Sequence, residues 1–168
     1  MTKEKENSDI PEELKWHRKM AAQLFNHTWD LIDKGDKRTP EENDEMIHSA
    51  HASRYHWIVV INSGKYPDTG SVNHARGDWQ ISRVYALLNI PHEAEFYAEK
   101  SLKMCLANKI GDFDLAFGYE AMARAFSLQP EKKQELEKHL ALAKEAAEKI
   151  QKKDDKEYLL SELNSIAS

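Results

Sequence analysis

A four-residue pattern that occurs twice constrains this chain more than any single motif. Ser82-Arg-Val-Tyr85 and Ala123-Arg-Ala-Phe126 stand 41 residues apart, and each is followed within a few residues by a turn containing proline and then by another amphipathic stretch. Both read as small, arginine, any, aromatic. A unit that recurs every 20 to 50 residues or so is a supersecondary element unable to bury its apolar face alone, so stacked helical hairpins are the expected solution. With 168 residues the chain is long enough for one domain with a sizeable core and short for two.

Helix punctuation supports the same conclusion. Several expected starts carry proline or a capping residue followed by carboxylates, as in Asp9-Ile-Pro-Glu-Glu and Thr39-Pro-Glu-Glu, where Thr39 and Glu42 have capping-box spacing. Helix one is expected to reach about Lys34 and stop at Gly35, and helix two to run from Pro40 to about Ile61. Gly64, Pro67 and Gly70 mark a loop before helix three, which begins at Ser71 and ends near Leu88. Pro91 begins helix four, which Gly111 should terminate, and Asp112 should cap helix five. After Gln129-Pro130, Leu136, Leu140, Ala143, Ala147 and Ile150 recur at helical spacing as one stripe. Asp154 and Glu157 suggest a last capping box. No segment alternates convincingly as a strand. The expectation is an all-α chain of about seven helices in antiparallel hairpins, one domain over residues 10–168 behind a disordered tail over residues 1–9.

The region from about Trp79 to Leu102 resembles the tetratricopeptide repeat family. Ser82, Tyr85 and Ala94 stand at the spacings of that repeat's small residue, aromatic and second-helix alanine, and Ser101-Leu102 falls where the family has its next small residue and leucine. The departures are Ser82 and Asn89 in place of glycines, a spacing longer than the family's, and Glu135 where the second unit should have alanine. The resemblance implies stacked hairpins in a right-handed superhelix, with the first helix of each pair lining a concave face that binds a peptide or protein.

Composition narrows the classes. A net charge of −5 gives no electrostatic reason to expect nucleic acid or an anionic membrane, and the one cysteine, Cys105, excludes an intramolecular disulfide framework. Cys105 is expected in the core. The first residues lack the apolar core of a signal peptide and no run approaches a membrane span, so a cytoplasmic location is expected.

The stretch Ile47-His-Ser-Ala-His-Ala-Ser-Arg-Tyr-His-Trp57 suggests a metal, but at about 100° per residue His48 and His51 lie about 60° apart while His56 points about 140° away from His51. One helix cannot supply all three to one ion. His48 and His51 remain weak metal candidates if His74, Asp114 or Glu120 completes the set, and no cofactor is expected. The simpler expectation has these histidines hydrogen-bonding between helices.

The same wheel puts Arg54 within the stripe Ile47, Ala50, Trp57, Ile58 and Ile61, where a charge must snorkel or find a carboxylate. On helix three Asn73, Arg76, Gln80 and Arg83 form a polar stripe beside Trp79; on helix five Phe113, Phe117, Glu120 and Arg124 share a face. Two readings follow for Arg83 and Arg124. They form an internal ladder with Glu120, Asp114 or Asp112, or they line a groove with Asn73, Arg76, Trp79, Phe117, Glu120 and His51 that grips a protein, peptide or small acidic ligand. The functional expectation is therefore a non-enzymatic binding module, open to self-association as a homodimer through its end faces. The competing expectation is a metal- or acid-base-dependent enzyme using His48, His51, Asp114 and Glu120.

Overall fold

The computed structural model describes residues 10–167, so the tail expected over residues 1–9 lies outside the described residues. Every regular element among them is helical: α1 (Glu12–Asp33), α2 (Pro40–Asn62), α3 (Ser71–Leu87), α4 (Pro91–Ala107), α5 (Asp112–Ser127), α6 (Lys133–Ala147) and α7 (Lys153–Ala167), with short 3-10 turns at Gly35–Lys37 and Pro130–Lys132. The all-α class and the number of helices are as expected. Chain neighbours pair as α1 with α2, α3 with α4 and α5 with α6. The pairs then meet through α2 on α3 and α4 on α5, while α3 also touches α5, and α5 touches α7.

Local chemistry explains the boundaries. Thr39 Oγ1 accepts the Glu42 N–H at 3.2 Å and Glu42 Oε2 accepts the Thr39 N–H at 3.0 Å, which completes the expected capping box. Helix α4 ends four residues before Gly111, because Lys109 takes the left-handed conformation (φ 54°) and the Ile110 N–H reaches back to Cys105 O at 2.9 Å. Asn89 (φ 56°) and the Ile90 N–H on Tyr85 O do the same for α3. Both turns are Schellman stops without glycine. Asp112 does not cap α5; it is the first residue of the helix, and its carboxylate accepts the Gln151 N–H at 3.1 Å from the link before α7. Helix α7 starts at Lys153, so Asp154 lies inside the first turn rather than capping it.

Small residues let the helices approach. Ser53 Oγ donates to Ala21 O at 2.8 Å, Ser82 Oγ to Ala94 O at 2.8 Å and Ser101 Oγ to Ala75 O at 2.9 Å, so each buried hydroxyl is satisfied by the backbone of a helix beside it. Ser82 and Ala94, which carry the repeat pattern, thus meet directly. Between α4 and α5, a Cβ on Gly118 would lie 3.3 Å from Leu102 Cδ1.

The apolar core follows this helix order. Leu31, Met46, Ala50, Ile81 and Val84 pack where α1, α2 and α3 meet; Ala98, Leu102, Ala121, Met122 and Phe126 join α4 to α5. Ala116, Phe117, Ala143, Ala147, Leu159 and Leu163 close the far end. The α6 stripe is buried at Ala143, Ala147 and Ile150, as its spacing predicts. On α2 the burial is rotated from the expected stripe: Met46, Ala50, Arg54 and Val60 are buried, whereas Trp57, Ile58 and Ile61 are only half-buried.

Arg54 is the most expensive of these residues to bury, and it meets a carboxylate. Its Nε lies 2.9 Å from Asp78 Oδ1 and its Nη2 3.3 Å from Asp78 Oδ2, with a further contact from Nη2 to His74 Nδ1 at 2.8 Å. Asp78 is 1% exposed and Arg54 8%. The guanidinium stem crosses α3 at Gly77, where a Cβ would stand 2.4 Å from Arg54 Cδ. Gly77 is therefore small for the sake of a side chain on another helix.

Removing Arg54 leaves the buried Asp78 with only the more distant Lys100 ammonium at 3.8 Å, so Arg54→Ala should cost about 3 kcal/mol in urea unfolding, the low end for breaking a buried pair. Arg54→Met combined with Asp78→Leu should cost clearly less than Arg54→Ala. A double variant as unstable as the single one would mean that the ion pair is not what Arg54→Ala disrupts.

Candidate functional site

Arg83 and Arg124, the paired arginines of the repeat, are already matched by carboxylates. Arg124 Nε donates to Glu120 Oε1 at 2.6 Å and its Nη2 to Glu162 Oε2 at 2.9 Å, while Arg83 Nη2 lies 2.6 Å from the same Glu162 oxygen and Nη1 3.5 Å from Glu120 Oε1. Two arginines share two carboxylates across α3, α5 and α7. Glu120 is fully buried, and both guanidiniums face it, so the buried carboxylate is paired. This is the internal ladder, built with Glu162 in place of Asp114 or Asp112.

The polar stripe of α3 is divided among different tasks. Asn73 Oδ1 accepts the Gly70 N–H at 3.0 Å at the start of the helix, and Gln80 Nε2 donates to Phe25 O on α1 at 2.9 Å. Arg83 joins the ladder. Arg76 turns to Asp114, with Nε to Oδ1 at 2.7 Å and Nη2 to Oδ2 at 2.9 Å. The Arg76 side chain is 53% exposed and that of Asp114 only 13%.

That last pair stands at a cavity of about 500 Å³ between α1, α3, α5 and α7. Phe25 and Trp29 come from α1, Trp79 from α3, Phe113 and Phe117 from α5 and Tyr158 from α7. Ring contacts run without a break from α1 to α7: Trp29 to Trp79 at 5.5 Å, Trp79 to Phe117 at 5.4 Å, Phe117 to Phe113 at 4.4 Å and Phe117 to Tyr158 at 5.5 Å between centroids. Such spacings are those of favourable edge and offset pairs. The polar lining consists of Arg76, Ser101, Asp112, Asp114, Lys152 and Asp155. Of the groove residues expected from sequence, the cavity brings together Arg76, Trp79 and Phe117. Asn73, Arg83, Glu120, Arg124 and His51 do not line it.

The histidines lie elsewhere. His51 Nε2 meets the Tyr85 hydroxyl at 3.0 Å and its ring packs on Tyr97, so it links α2 to α3 and α4. His48 is exposed on the same helix. His56 Nδ1 stands 2.7 Å from His17 Nδ1 across the α1–α2 hairpin, where one proton serves both nitrogens. Among the described residues no group of three or more His, Cys, Asp or Glu is placed to hold a metal ion. Glu120 and Asp114 are engaged by arginines rather than by His48 or His51. Cys105 is buried, and desolvation pushes its thiol up to about 11, which leaves almost no thiolate near neutrality.

Sequence reasoning missed four of the six aromatics of the cavity, Phe25, Trp29, Phe113 and Tyr158, its charged residues Lys152 and Asp155, and one rung of the ladder. Phe25 and Trp29, like Phe113 and Phe117, are aromatic pairs at i and i+4, a spacing that puts both rings on one helix face. Tyr158 and Glu162 repeat that spacing on α7. Two arginines beside one buried glutamate already required a second carboxylate, and nothing in the acid-rich C-terminal stretch distinguishes Glu162 from its neighbours before the fold is known.

Burial lowers the pKa of His51, His56 and His74; nearby His48, His17 and Arg54 respectively add to the depression, and for His51 and His74 the Asp78 carboxylate opposes it. The folded chain therefore binds fewer protons than the unfolded one just below the ordinary histidine value of 6.5. Stability should be fully present above that value and decline as the pH falls through the depressed values, read as a lower Tm at about pH 5.5 than at about pH 7.5. Replacing His56 by Gln should flatten this dependence; an unchanged slope would exclude His56 as a contributor.

Compared with known proteins, the chain matches no family model, no curated protein and no solved structure.

Proposed function

We propose that this chain is a non-enzymatic helical-repeat binding module that receives a segment of a protein or peptide partner in the cavity between α1, α3, α5 and α7. One observation carries the reading: about 500 Å³ of space walled by Phe25, Trp29, Trp79, Phe113, Phe117 and Tyr158, with a few charged groups among them. Binding sites have this composition, with apolar surface for affinity and sparse polar groups for orientation. Five of the six rings touch one another edge-on or tilted, yet together they leave the cavity open rather than filling it. Tyr158 remains 41% exposed.

The arginines that suggest an acidic ligand from sequence are not the basis of this proposal. Arg83 and Arg124 are neutralised by Glu120 and Glu162, and an anion entering there would have to displace a buried carboxylate. The repeat resemblance supports the reading independently of them, through the placement of a peptide against first helices. The cytoplasm remains the expected compartment. No helix among the described residues is long and apolar enough to cross a membrane.

Peptides selected on the intact protein from a random display library test the proposal. Binders should protect the backbone of α1, α3, α5 and α7 around the cavity from hydrogen exchange, and Tyr158→Ala, with folding checked by circular dichroism, should weaken them by about tenfold, the scale of one well-packed aromatic contact. Protection on another face, with affinity unaffected by Tyr158→Ala, would refute it.

A further inference from the structure

We infer that the cavity selects a guanidinium, such as an arginine side chain of the partner, by exchanging it for Arg76 on the Asp114 carboxylate. The inference rests on the cavity being a binding site and adds what it binds.

The asymmetry of the Arg76–Asp114 pair decides the sign of the ligand. Arg76 has a 53% exposed side chain, so it can swing into water with little loss of hydration; Asp114, at 13%, has no such exit. An incoming cation that takes Asp114 leaves Arg76 solvated, and every charge ends with a partner or with water. An incoming anion that takes Arg76 leaves Asp114 in the wall unpaired, a state that is strongly disfavoured. The existing contact also states the geometry: Asp114 accepts two parallel N–H groups through both oxygens, the fork that a guanidinium fits and an ammonium does not.

The surroundings agree. The six-membered aromatic wall presents rings on which a flat cation stacks, and the faces of Trp and Tyr attract positive charge. Asp112 and Asp155 are further carboxylates of the lining, and Asp155 makes no ion pair among the described residues. Against three carboxylates the lining offers two cations, Arg76 and Lys152, and Lys152 is exposed. Arg76 thus acts as a resident occupant that holds Asp114 ready and yields to a guanidinium brought in with apolar contacts of its own.

The test uses three small probes: Nα-acetyl-arginine methylamide, its neutral citrulline isostere and Nα-acetyl-glutamate methylamide. Binding is followed by calorimetry and by the indole N–H resonances of Trp29 and Trp79. The arginine probe should bind at least about tenfold more tightly than the citrulline probe, because the charge-assisted contact is lost with the charge. Asp114→Asn should remove that preference. Arg76→Gln should strengthen arginine binding, since it deletes the internal competitor. A role confined to structure would not produce such a gain. Should Asp114→Asn fail to fold, the arginine and citrulline comparison together with Arg76→Gln decides alone. Preference for the glutamate probe, abolished by Arg76→Gln, would overturn the inference and leave the cavity standing as a site. Absence of binding by all three would also overturn it, whereas the cavity reading would fall only if the selected peptides protect another face.

Discussion

Two arginines held by two carboxylates across α3, α5 and α7 are the interaction on which the rest of the arrangement depends. Helix α5 packs partly through alanine, at Ala116 and Ala121, and alanine lets helices come close but fits several registers almost equally well. Buried charges are less permissive. Glu120 and Glu162 must each face both guanidiniums, and only one relative placement of the three helices allows it. The ladder also determines the cavity, because Tyr158 lies one turn before Glu162 on α7. Fixing Glu162 against Arg83 and Arg124 places Tyr158 against Phe117. The polar network and the aromatic wall are adjacent layers of one construction.

The fold was legible in the sequence where local chemistry dictates it. Thr39 and Glu42, Pro91 and the α6 stripe act within a turn or two of chain, so their spacing suffices to predict what they do. Helix ends were less legible. Gly111 attracted the stop of α4 because glycine is the cheapest left-handed residue, yet Lys109 takes that conformation two residues earlier, where its strain is offset by the Ile110 to Cys105 backbone bond. Asp112 and Asp154 have the composition of caps, but tertiary contacts and the actual helix starts assign them otherwise.

For the site, the sequence identified residue types that matter without their assignments. Arg54, Arg76, Arg83 and Arg124 all stood out because a charge within an amphipathic pattern demands a partner, and all four have one. Arg124 meets Glu120 four residues before it on the same helix, as spacing predicts, but the other partners depend on helices distant in sequence: Asp78 lies 24 residues from Arg54, and Asp114 lies 38 from Arg76. Helical periodicity carries no information about pairings between helices. The aromatic wall was harder to see for the same reason, since each helix contributes only one or two rings and none forms a motif alone.

Gly77 gives the Arg54–Asp78 pair a consequence for how the chain can vary. Because the Arg54 stem occupies the space where a residue 77 side chain would stand, the tolerance of position 77 is set by position 54, and the tolerance of 54 by the charge at 78. A change at any one of them meets a clash or an unpaired charge. The same change becomes acceptable once the others have shifted. Positions 54, 77 and 78 therefore form an epistatic unit, and sequences that lose the arginine should be the ones free to replace the glycine.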